Sequence, residues 1–130
     1  MNLVFDQRDK TLEVGYQVML DAPALSNRVS FTLDEFKDGA EGMEAWGISD
    51  GDIIGMILIH GNHPHIVISK EYHNKCGFVI KKALNLLLKK HRKLVTEIYW
   101  TNTKAIKLAE KLGFKFLSNK NKILTYSIGE

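Results

Sequence analysis

Residues 96–114 read TEIYWTNTKAIKLAEKLGF, and their order decides the fold. The leading TEIYW is β-rich. Asn102 follows, and a side-chain amide there caps a helix by accepting from N–H groups near Lys104 and Ala105. Ala105, Ile106, Leu108, Ala109 and Leu112 recur at helical spacing, which predicts an amphipathic helix over 103–112. Gly113 suits the position just past its end. A strand thus runs into a capped helix, the kind of strand end where a bound group can be held.

Working outward, LVTEIYW over 94–100 completes the strand. Upstream, apolar residues from Phe78 to Leu88 repeat every three or four positions, which predicts a helix over 76–91. Lys89, Lys90, His91, Arg92 and Lys93 crowd its end, where cations suit the helix dipole. HIVIS at 65–69 reads as a strand, with Pro64 at its start and HGNHP at 60–64 as a turn. IIGMILIH at 53–60 is almost wholly apolar and reads as a central strand covered on both faces. A hairpin turn at 49–52 joins it to a strand at 44–48. A first strand falls at 2–7 and a helix at 9–22, ended by Pro23. Residues 24–43, with Leu25, Val29, Phe31, Leu33 and Phe36, read as a helical turn and a loop. Downstream, strands at 114–117 and 123–128 flank a turn at 119–122. This order predicts an α+β domain over 1–130, with a mixed central sheet and helices on both faces.

Composition agrees with one soluble globular domain: 130 residues, 45% apolar and 25% charged. The N-terminus carries early acid and does not read as a signal peptide. No run approaches a membrane span, so a membrane role is not expected. Cys76, the one cysteine, fits a reducing compartment, and a cytoplasmic location is expected. The net charge of +3 is unevenly divided. Residues 1–69 hold 4 Lys/Arg against 11 Asp/Glu, whereas residues 70–122 hold 14 against 3. The basic half, which includes most of 65–128, suits an anionic ligand such as a phosphate-bearing cofactor. It equally suits a solvated lysine face, and nucleic acid is a less favoured partner.

The strand order together with Asn102, Ala105-Ile106 and Leu112-Gly113-Phe114 resembles the GCN5-related N-acetyltransferase (GNAT) family, most closely over 53–128. The resemblance implies that acetyl-coenzyme A lies between two splayed strands, here those at 65–69 and 95–100. It implies a cofactor-binding set of Ile66, Ile68, His73, Asn74, Lys75, Cys76, Gly77, Phe78 and Asn102. The loop before the helix, YHNKCG at 72–77, contains Gly77 alone where the family has two spaced glycines. Aligning His73 with the family's leading Arg or Gln puts Cys76 and Phe78 at the glycine positions. Aligning Gly77 with the first glycine puts Val79 at the second. Ala109 occupies the position where many members place a proton-donating Tyr, which leaves Tyr99 and Tyr126 as candidate donors.

An amine acceptor must lose a proton before it can attack. His60, His63, His65, Glu71 and Glu97 are the available bases, and a near-neutral reference pKa favours histidine. The proposed catalytic set is His65, Glu97 and Tyr126. The histidines lack a third ligand at metal spacing, so no metal site is expected. The expected function is acetyl transfer to a small-molecule or protein amine by a monomer or homodimer. The competing expectation is a non-catalytic phage or structural protein that keeps the fold and binds protein or nucleic acid.

Overall fold

The computed structural model describes residues 1–22 and 29–129. The expectations at Pro23 and Leu25 lie outside them. Strand β1 (Asn2–Val4) and helix α1 (Arg8–Asp21) open the chain. Helix α2 (Leu33–Gly39) precedes β2 (Glu44–Asp50), β3 (Asp52–His60) and β4 (His63–Ile68). One 3-10 turn (Lys70–Tyr72) leads to α3 (Gly77–Lys90), β5 (Lys93–Tyr99), α4 (Thr103–Lys111), β6 (Lys115–Lys120) and β7 (Ile123–Gly129).

The strands form two antiparallel sheets, ordered β1-β2-β3-β4 and β5-β7-β6. The expected α+β architecture is present, with its central sheet divided between β4 and β5. These strands run side by side in the same direction, and their backbones meet through one bond, Val95 N–H to Asn62 C=O at 3.0 Å. The Asn62 amide donates to Lys93 C=O at 3.0 Å and clamps the same end. In a parallel ladder the next rung would run from the N–H of residue 64 to Val95 C=O. Residue 64 is Pro64, which has no N–H, so the ladder stops there. The Thr96 hydroxyl makes only a long 3.5 Å approach to Pro64 C=O. From that point the two sheets separate.

One face of the first sheet carries α1 and α2. Leu12, Ala40, Ala45, Met56 and Leu58 form its core. Gly15 costs α1 helix propensity, but a Cβ there would stand 2.5 Å from Met56 Sδ, so the glycine lets the helix seat on β3. The other face meets α3 through Val79, Ile80, Ala83, Leu84 and Leu87, and this core continues under α4 to Ile98, Phe114 and Tyr126. Ile57 is fully buried between these layers, as the apolar run 53–60 predicts, and so is Ile48 of β2.

Several boundaries differ from the sequence reading; β1 ends at Val4, and the β2–β3 turn narrows to Gly51. Residues 24–43 contain a true helix, α2, begun by a capping box in which Thr32 and Glu35 bond each other's backbone N–H. Strand β4 begins at His63, because Gly61 with φ +62 lets His60 and His63 pair across a tight turn. The β6–β7 turn is only Asn121-Lys122, both with positive φ, as a type I′ hairpin requires. Gly55 has a structural role at the centre of β3. A Cβ there would lie 2.8 Å from Val67 C=O and 3.3 Å from Ile68 Cα, on the rigid backbone of β4. Gly55→Ala should therefore destabilise the fold by about 1–3 kcal/mol, the usual cost of overpacking, measured by urea unfolding.

Candidate active site

Ladder geometry determines which backbone groups face the split. Ser69 N–H bonds Ile54 C=O, so odd-numbered residues of β4 point their backbone groups toward β3. Ile66 and Ile68 then turn their N–H and C=O toward β5, while their side chains pack into the α3-side core. On β5, Val95 N–H points toward β4, and Glu97 does the same by alternation. Two strand edges with backbone donors and acceptors thus face one another across a slot. The Ile68 C=O is already occupied, because His73 Nε2 approaches it at 2.7 Å. His73 is thereby a fastener between the loop and the end of β4.

The slot leads to the start of α3. The first intrahelical bond there runs from Ile80 N–H to Cys76 C=O, leaving the N–H groups of Gly77, Phe78 and Val79 without intrahelical partners. No acid stands in the first turn, and no side chain caps it. The substituents that replace the expected glycines do not cover these donors. Cys76 is fully buried with Sγ 3.5 Å from Met1 Sδ, and Phe78 is 84% exposed. A Cβ on Gly77 would meet nothing within 4 Å. Asn74 and Lys75 are exposed beside this opening, with Lys75 Nζ 6.0 Å from the Tyr72 ring centre. The donor set and the open backbone fit a diphosphate. Burial raises the Cys76 pKa, Asp50 adds to this, and the N-terminal ammonium opposes it, so the thiol is no nucleophile.

At the other strand end, Asn102 Oδ1 accepts from Ala105 N–H at 3.3 Å, as the sequence predicts for a cap. Trp100 is half exposed beside it, and Lys122 Nζ lies 5.9 Å from its ring centre.

The three candidate catalytic residues divide between two faces. His65 stands opposite Leu58, in a row Ala45–Leu58–His65 on the α1/α2 side. Glu97 projects from β5 on the face away from α4 and is close enough to raise the His65 pKa. That influence is outweighed. Desolvation by the surrounding protein lowers the His65 pKa most, and the charges of His63 and His60 lower it further. The balance favours the neutral ring, although the His65 side chain still reaches solvent. Tyr126 lies on the opposite face of the second sheet, opposite Thr96 and Phe116, in the same core as Ala109. Burial, then Glu110, raises its pKa, so the phenol keeps its proton. Among the described residues no cluster of three metal-ligating side chains occurs, and no helix is long and apolar enough to cross a membrane.

Solved structures share this architecture. An acetyltransferase of the GNAT family from Bacillus anthracis superposes with a TM-score of 0.74 at 16% identity, over 98% of this chain and 93% of that one.

The chain has the GNAT acetyltransferase fold.

A chimeric spermidine N-acetyltransferase from Vibrio cholerae gives a TM-score of 0.77 at 16% identity, covering 98% and 94% of the two chains. The ribosomal-protein-S18-alanine N-acetyltransferase from Escherichia coli gives 0.71 at 15%, covering 98% and 92%. No protein-family model and no curated protein matches the sequence. The likeness therefore resides in the GNAT fold itself.

The sequence reading missed the part played by Pro64, whose missing donor opens the slot, and by Asn62, which clamps its closed end. The signal was present in the proline itself once β4 and β5 are placed side by side. The electrostatics around His65 give a test that needs no substrate. In an NMR titration the His65 ring should have a midpoint below the ordinary histidine value. Glu97→Gln should lower it further, because the carboxylate favours the charged ring, and His63→Gln should raise it.

Proposed function

We propose that this protein is an acetyl-coenzyme A-dependent N-acetyltransferase acting on a primary amine. The observation that carries the reading is the slot. It has backbone donors on both edges and ends at three unpaired N–H groups of α3. When bound, acetyl-coenzyme A supplies an acetyl thioester. The Gly77, Phe78 and Val79 N–H groups hold the diphosphate, with Asn74 and Lys75 beside it. The Ile66 and Ile68 edge aligns the extended arm. Asn102 fixes the start of α4 on the far side of the slot.

His65 accepts a proton from the incoming ammonium, with Glu97 steadying the imidazolium that results. The free amine would attack the acetyl carbon, the C–N bond forming and the C–S bond breaking, and the second proton of the new amide nitrogen would pass on to replace the one given to the departing sulfur. Tyr126 holds a proton for the departing sulfur from the α4 side, replacing the donor that Ala109 lacks. Depressing the His65 pKa leaves the base competent through neutral pH, and activity falls as the pH drops through that pKa. The competing reading, a non-catalytic phage or structural protein that keeps the fold, has no specific observation in its favour. The lysines on α3 and α4 are mostly solvent-exposed, as a solvated face would be.

Saturating acetyl-coenzyme A should stabilise the protein by about 2–4 kcal/mol if it stands at 100–1,000 times its dissociation constant. The discriminating variant is Gly77→Asp. Its carboxylate suits the positive end of the helix dipole, so the free protein should unfold at the same temperature or slightly higher. The same charge repels a diphosphate, so the ligand-induced shift should disappear. An unchanged shift in Gly77→Asp would put the cofactor elsewhere, and no shift in the parent protein would remove the acetyltransferase reading.

A further inference from the structure

A cavity of about 310 Å³ opens between α2 and β3, lined by Phe31, Glu35, Phe36, Gly39, Ala40, Met43 and Leu58. Its walls are almost wholly apolar. Phe31 and Phe36 stack with centroids 5.9 Å apart at 15°, and Tyr16 of α1 lies 6.1 and 5.9 Å from them. The Tyr16 hydroxyl donates to Phe31 C=O at 2.6 Å, which holds the aromatic wall in place without a ligand. Glu35 supplies the one carboxylate, and its Oε1 already accepts Thr32 N–H at 2.9 Å.

The floor of this cavity lies one strand from the slot. Leu58 is the cross-strand neighbour of His65, on the same face of the first sheet. Side chains so paired stand about 5 Å apart. A molecule seated over Leu58 therefore has its free end beside the His65 ring.

We infer that this cavity is the acceptor site and that the acceptor is a small primary amine on an apolar alkyl or aryl body. The apolar body fills the space between Phe31, Phe36, Met43 and Leu58, and the amine reaches His65. The volume is at the small end of ligand pockets, which suits a small molecule over a protein chain. A polyamine would place its additional charges against an apolar wall, where burial of an unpaired ammonium is unfavourable. The inference rests on the proposed acetyl transfer and names its substrate class.

Gly39 provides the specific variant. It lines the cavity, its φ is not in the left-handed region, and an added Cβ would meet nothing within 4 Å. Gly39→Leu fills the space with little disturbance of the fold. Two measurements separate the inference from the reading beneath it. In the first, phenethylamine is titrated into the protein without acetyl-coenzyme A while the Met43 and Leu58 methyl signals are followed by NMR. Both signals should shift, and Gly39→Leu should abolish the shifts while leaving thermal unfolding unchanged. In the second, acetyl transfer is measured with phenethylamine, spermidine and an alanine-initiated peptide. Phenethylamine should have the highest kcat/KM, by about tenfold or more, a usual discrimination for an apolar pocket. Gly39→Leu should raise its KM by a similar factor.

Methyl shifts without any acetyl transfer would sink the acetyltransferase reading and leave the cavity as an apolar-amine site. Transfer that favours spermidine or the peptide, or that Gly39→Leu leaves unaltered, would overturn the assignment of the cavity. Absence of methyl shifts with phenethylamine would overturn it as well.

Discussion

A proline that cannot donate one hydrogen bond sets the geometry on which everything else depends. Strands β4 and β5 are held together at one end by Asn62, through its backbone C=O and its side-chain amide. Continuation of that pairing needs an N–H at residue 64, and Pro64 has none. Two antiparallel sheets then diverge where one continuous sheet would otherwise form. Backbone groups of Ile66, Ile68 and Glu97 are left facing the gap; His73 takes the Ile68 C=O, and the others favour a partner. The helices that follow the two strands place their N-termini at the open end. One is capped internally by Asn102, and the other, at Gly77, has no side-chain cap.

The divergence also separates chemical roles by face. His65 and Glu97 lie on opposite sides of the gap but influence one another electrostatically. Tyr126 projects from β7 of the second sheet into the core under α4, where burial raises its pKa. His65 and Tyr126 thus stand on different faces of the two sheets. The separation follows from strand alternation, since Thr96 pairs with Tyr126 and Glu97 with Thr125. A residue slip of one position in β5 would exchange the two sides.

Much of this was legible in the sequence, for identifiable reasons. Residues 96–114 carry their own local rules: a β-rich run, an Asn cap, helical apolar spacing and a terminal Gly. The observed β5, α4 and Gly113 with φ +99 follow them within a residue or two. The α+β class followed from the order of such segments. Helix α2 was not read as a helix because only 7 residues long it has little periodicity, although the Thr32–Glu35 capping box marks its start. The cavity was not legible either. It forms where Phe31 and Met43, on either side of α2, meet Leu58 of β3, and no local pattern records that meeting. The loop at 72–77 places Cys76 and Phe78, or Val79, where the resembled family has glycines. In three dimensions Cys76 turns into the core and Phe78 out to solvent, so the N–H groups remain open.

The central claim is that the β4–β5 edges are unpaired in the free protein and are the place where acetyl-coenzyme A lies. Amide hydrogen exchange at Ile66, Ile68 and Glu97, with and without acetyl-coenzyme A, tests this most directly. Fast exchange at these amides in the free protein, slowed on adding the cofactor while the paired amides of β3 are unaffected, is the predicted result. Amides already protected in the free protein, or unchanged by saturating acetyl-coenzyme A, would contradict it.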